Sequence, residues 1–118
     1  MAQMKKSTKI KKENKRLREK YKDLPEDSLS IVDGLIDQAA FMRAELDDMK
    51  IDIIDNGRIE MFSQSEKTKP YERERPVVRQ YAQMVRNYQN IIKQLDEKLP
   101  KEEAANVLSD GFDDFAGI

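Results

Sequence analysis

The chain has 118 residues, enough for one small domain, with 38% charged residues, 38% hydrophobic residues and a net charge of −1. It contains no Cys and no His, which excludes thiol nucleophiles, disulfides, Cys/His zinc sites and imidazole general bases. A single chain with so little apolar material buries only a thin core, so self-association is expected from size alone.

No apolar run approaches the roughly 20 residues that span a bilayer, and the N-terminus lacks the apolar stretch of a secretory signal. No membrane contact is expected, and the absence of Cys fits a reducing cytosol. The four Gly residues are scattered and form no phosphate-binding loop. No cofactor, no metal and no catalytic activity are expected.

Residues 1–23 form a basic arm. Within residues 1–22, ten Lys/Arg face only Glu13 and Glu19, a surplus of eight positive charges, while the rest of the chain carries 12 basic and 21 acidic side chains. Phosphate contacts need only closely spaced cations, which makes Lys5, Lys6, Lys9, Lys11, Lys12, Lys15, Arg16 and Arg18 candidates for binding double-stranded DNA. The plainer reading is a solvated charged end. The arm holds no second helix and turn, so base-specific readout of the helix-turn-helix kind is not evident. Residues 9–22 lack Gly and Pro and favour helix, with Ile10, Leu17 and Tyr21 on one narrow stripe. That stripe is too thin to hold an isolated helix, so the arm is expected to firm up on a partner or a neighbouring subunit.

The second segment opens at Leu24-Pro25-Glu26-Asp27, where Pro suits an early helical turn and acidic residues suit a helix N-terminus. Val32, Leu35, Ala39, Met42, Leu46, Met49 and Ile53 then recur at alternating spacings of three and four, a heptad seam. Asp55-Asn56-Gly57 is the expected helix end, with Gly57 in a left-handed position. The carboxylates along this helix, among them Asp33, Asp37, Glu45, Asp47, Asp48, Asp52 and Asp55, could pair around Mg²⁺, but a solvated charged face is the favoured reading.

Residues 58–75 read as a short strand pair, Arg58–Phe62 and Thr68–Glu72, or as an irregular loop. Arg75-Pro76 starts a second long helix. Val77, Tyr81, Met84, Tyr88, Ile91 and Leu95 form its seam, with Val78, Val85, Ile92 and Leu99 as a second row, and Pro100 ends it. The predicted fold is mainly α: a long antiparallel helical hairpin over residues 24–100 that homo-oligomerises. Its oligomerisation residues would be Val32, Leu35, Met42, Leu46, Met49, Ile53, Tyr81, Val85, Tyr88, Ile92 and Leu95. The competing reading is a monomer whose seam is satisfied internally.

Residues 101–118 form an acidic tail. Phe112, Asp113, Asp114, Phe115 and Ile118 look like a linear docking peptide, with aromatic anchors for contact energy and carboxylates for a basic partner. The plainer readings are a frayed end or a tail that covers the chain's own basic arm.

One stretch resembles a known family. A long helix ending in Asp55-Asn56-Gly57-Arg58-Ile59-Glu60-Met61-Phe62 is followed by a polar linker and Glu74-Arg75-Pro76-Val77-Val78-Arg79-Gln80-Tyr81. The stretch continues with Tyr88-Gln89-Asn90-Ile91-Ile92-Lys93-Gln94-Leu95 and closes on Leu99-Pro100. This is similar to the small subunit of tailed-bacteriophage terminase, in its short-chain group, over about half the chain. The resemblance implies a ring-forming, non-catalytic DNA-recognition subunit in the cytoplasm of an infected bacterium. Such a subunit hands viral DNA to a large terminase subunit that carries the ATPase and nuclease. A small coiled-coil DNA-binding regulator and a structural interaction protein are the alternatives.

Overall fold

Five elements follow one another within residues 5–99, the part of the chain that the computed structural model describes: α1 (Lys6–Tyr21), α2 (Glu26–Asn56), β1 (Ile59–Phe62), β2 (Tyr71–Glu74) and α3 (Pro76–Asp96). The fold is mainly helical, with one small antiparallel sheet. The acidic tail lies outside the described residues.

α1 is a full helix, and it does not wait for a second subunit. Leu17 and Tyr21 are 0% and 1% exposed, in one cluster with Val32, Ile36, Ala39 and Leu46 of α2 and Tyr88, Ile92 and Leu95 of α3. The stripe is as thin as its sequence implies, but two large side chains at the right spacing suffice when a broad apolar face receives them. The arm is therefore held by its own chain.

α2 lies between the other two helices, packing on both α1 and α3. That position explains why its buried face is wider than the heptad seam. Val32, Ala39 and Leu46 of the seam are buried, and so are Ile36, Ala40 and Ala44 on a row beside it. Small Ala side chains let a neighbouring backbone approach closely. Contacts run in opposite senses on both sides of α2. Lys6 reaches Glu45 while Arg18 reaches Asp33. Arg75 reaches Asp52 while Arg43 lies 5.9 Å from the Tyr88 ring centroid.

α2 stops at Gly57, whose φ of 81° and ψ of −173° place it in a region open only to glycine. Its N–H donates to the Ile53 carbonyl at 2.8 Å. The chain then turns into the hairpin, where Ile59 pairs with Glu74 and Phe62 with Tyr71. The second strand runs over Tyr71–Glu74 rather than the expected Thr68–Glu72. Pro70 lacks the N–H that a ladder needs, and Thr68 is tied into the loop by hydrogen bonds with Ser63 and Ser65. The Arg75 N–H closes the base of the hairpin on the Arg58 carbonyl at 2.8 Å. α3 ends at Asp96, short of Pro100, in turns that run through Leu99.

Replacing Leu17 with Ala should lower stability by about 2–5 kcal/mol, as for other fully buried leucines. Met61→Ala, at an exposed hairpin position, should change it by less than about 0.5 kcal/mol. Urea midpoints of the two variants check this contrast, and equal midpoints would show that α1 is not part of the core. Gly57→Ala should cost about 1–3 kcal/mol, because the backbone there is strained for any side chain.

Candidate functional site

α1 divides its cations between two faces. On the first face, Lys6 contacts Glu45 at 2.5 Å and Asp48 at 3.3 Å, and Lys9 contacts Asp47 at 2.5 Å and Asp48 at 2.8 Å. Arg18 pairs with Asp33, and with Asp37 at 3.1 Å. Asn14 adds a hydrogen bond to Asp37 at 2.7 Å. The acidic row of α2 stays largely exposed to solvent, as its pattern suggests, and also serves as a docking surface for α1. Asp52, one turn further, holds Arg75 at 2.7 Å, and Asp55 is exposed.

The ion pairs leave their mark on titration. Hydrogen bonding to Glu45 raises the Lys6 pKa above the ordinary lysine value, and hydrogen bonding to Asp47 and Asp48 does the same for Lys9. For Asp48, partial burial pushes upward, but Lys9 and Lys6 outweigh it and hold the carboxyl below its usual range. Tyr21 is pushed well above the ordinary phenol value by burial and by the nearby Asp96 carboxylate.

On the second face, Lys5, Lys11, Lys12 and Lys15 are exposed and carry no ion pair among the described residues. Arg16, the remaining candidate, is half-buried and bonded to Glu13. Two of these lysines, Lys11 and Lys15, line a shallow trough of about 490 Å³ along α1 together with Ile10, Asn14, Arg18, Glu19 and Lys22. Of the eight candidate DNA contacts, four therefore face outward and four are engaged within the chain.

The candidate oligomerisation residues are placed differently from their sequence reading. Val32, Leu46, Tyr88, Ile92 and Leu95 are at most 3% exposed inside the single chain. Leu35, Met42, Met49, Ile53, Tyr81 and Val85 are half-buried. The large apolar side chains that face outward are Ile31, Phe41, Ile54, Ile59, Met61 and Tyr71. Ile59 and Met61 share one face of the hairpin with Glu72 and Glu74, while Phe62 and Tyr71 meet edge to face on the other, where Arg73 sits 3.5 Å above the Phe62 ring. Helical spacing could not single out these outward residues, because three of the six lie on α2 off its seam, three lie in the strands, and burial depends on where α1 sits.

A second depression lies where α1 no longer covers α2. Ile53, Ile54, Val78, Tyr81 and Ala82 line a groove of about 330 Å³ between α2 and α3, with Lys50 and Arg58 at its rim. Among the described residues, no group of three or more Asp or Glu is placed to hold a metal ion, and no helix is long and apolar enough to cross a membrane. No family model, curated protein or solved structure matches the chain.

Stability should fall as pH drops below about 4. A carboxylate whose folded pKa is depressed contributes stability above its unfolded pKa of roughly 3.9 and loses it as pH falls through the folded value. Asp48→Asn should flatten this acid limb in urea midpoints measured from pH 7 to pH 2.5. An unchanged slope would remove Asp48 from the set of coupled groups.

Proposed function

We propose that the chain is a non-catalytic DNA-recognition and adaptor subunit of a viral DNA-packaging terminase, working in the cytoplasm of an infected bacterium. Its α2 and α3 form an antiparallel helical hairpin that carries self-association into a ring. The acidic tail recruits the large subunit, which supplies the ATPase and nuclease.

The observation that carries the DNA contact is the division of charge on α1. Lys6, Lys9 and Arg18 neutralise α2, and what is left outward is a set of cations at Lys5, Lys11, Lys12 and Lys15 that make no ion pair among the described residues, with Glu19 near Lys15. A row of lysines on one exposed helix face matches a phosphate backbone and carries no base code. The support for self-association is the apolar surface outside the core. Ile59 and Met61 are 55% and 64% exposed on a two-stranded sheet with two open edges. A short hairpin with exposed apolar side chains and open edges is poorly stable alone in water and is completed by another chain.

The test is binding to double-stranded DNA as a function of salt. Replacing Lys11, Lys12 and Lys15 with Gln should weaken binding at low salt and reduce the slope of log K against log salt by roughly one unit per lysine in contact. Ile59→Glu with Met61→Glu should lower the mass measured by light scattering. Unchanged affinity would overturn the DNA contact, and a monomer for the native chain would overturn self-association.

A further inference from the structure

We infer that the groove between α2 and α3 is the seat of the chain's own acidic tail, taking Phe112 and Phe115 into its apolar floor and Asp113 and Asp114 onto its basic rim. This inference does not rest on DNA binding.

The groove is built for an apolar group that carries negative charge. Its floor is Ile53, Ile54, Val78 and Ala82, and its volume of about 330 Å³ lies within the usual range of ligand pockets, roughly 300–1,000 Å³. Ile54 is 69% exposed, which leaves its apolar surface open to a partner. Lys50 and Arg58, at the rim, make no ion pair among the described residues, whereas Arg73 and Arg75 nearby are both paired with carboxylates. An incoming carboxylate would pair with both cations.

The tail has the matching chemistry. Phe112-Asp113-Asp114-Phe115 sets two aromatic anchors around two adjacent carboxylates, and Ile118 adds a third apolar side chain. It also has the reach. From Asp96 back to Ala82 the helix rises roughly 1.5 Å per residue, about 21 Å in all, and the turns through Leu99 add only a few ångström. Residues 100–111, drawn out at roughly 3.3 Å each, span about 40 Å. The tail therefore reaches the groove of its own chain with length to spare. Apolar burial supplies the affinity and the Lys50/Arg58 pair supplies orientation, as in other peptide-in-groove contacts. A tail held in this way is covered until a competing partner draws it off.

The absence of Cys in the native chain makes a single-site label available for the test. A nitroxide is attached to full-length, isotopically labelled protein through Ser109→Cys, and signal loss is read along residues 5–99. The expected result is loss of at least half the intensity at Ile53, Ile54, Val78 and Ala82. Phe112→Ala with Phe115→Ala should restore those signals, and so should Lys50→Glu with Arg58→Glu. Loss that persists in both variants overturns the proposal. So does loss centred on Lys11 and Lys15, which would place the tail on the basic helix, or no loss anywhere. A mixture of spin-labelled chain with isotopically labelled Cys-free chain separates the occupants. Equal loss in that mixture would assign the groove to the tail of a second copy and overturn closure within the chain.

Discussion

The docking of α1 against α2 is the contact on which the rest of the structure depends. Its energy is mainly apolar. Leu17 and Tyr21 close a cluster that α2 and α3 would otherwise leave half open, and each such side chain contributes about 1.5–3 kcal/mol by burial. Its register is electrostatic. Lys6 meets Glu45 and Arg18 meets Asp33, so two helices running in opposite senses keep step over the same number of residues. Exposed ion pairs taken singly are worth little, but this set shares partners: Asp48 receives two lysines, and Lys9 is only 12% exposed along its side chain.

That docking determines which surfaces remain for partners. α1 covers the N-terminal two-thirds of α2 and stops near Asp48, so the far end is only two helices thick. Part of the outward apolar surface lies there, with Ile54 at the groove and Ile59 and Met61 on the hairpin, while Ile31 and Phe41 lie along the stretch beside α1. The same docking sorts the cations of α1 by their angle around the helix. Those near the interface neutralise α2, and those opposite stay in solvent. One helix thus serves folding with one face and presents a row of positive charge with the other. Neither role disturbs the other, because side chains on opposite faces of a helix do not compete for the same partner.

The hairpin between α2 and α3 follows from local chemistry. Gly57 ends α2 by adopting a conformation closed to other residues, Pro76 begins α3 where its missing N–H costs nothing, and the Arg75–Arg58 backbone bond closes the gap between them. Asp52 joins this junction by holding Arg75, which ties the hairpin's base to the last turn of α2. The Ser63–Thr68 hydroxyl cluster sets the loop, and strand pairing resumes only after Pro70.

Much of this was legible in the chain before any fold was seen. Spacings of three and four marked α2 and α3, Gly57 and Pro76 marked their facing ends, and the charge imbalance marked α1 as a distinct segment. These are signals carried by neighbours in sequence, and local backbone preferences express them directly. The tertiary structure decided what each surface touches. Leu17 and Tyr21 looked too few to hold a helix, because periodicity counts apolar residues on one element and cannot see the face waiting on another. The cations that pair with the exposed carboxylates of α2 were hidden for the same reason: they lie some fifteen to forty positions away in sequence. The heptad rows showed which residues avoid water, but not whether a second copy or the same chain covers them. That depends on how α1 folds back, and so on contacts between segments that no local spacing encodes.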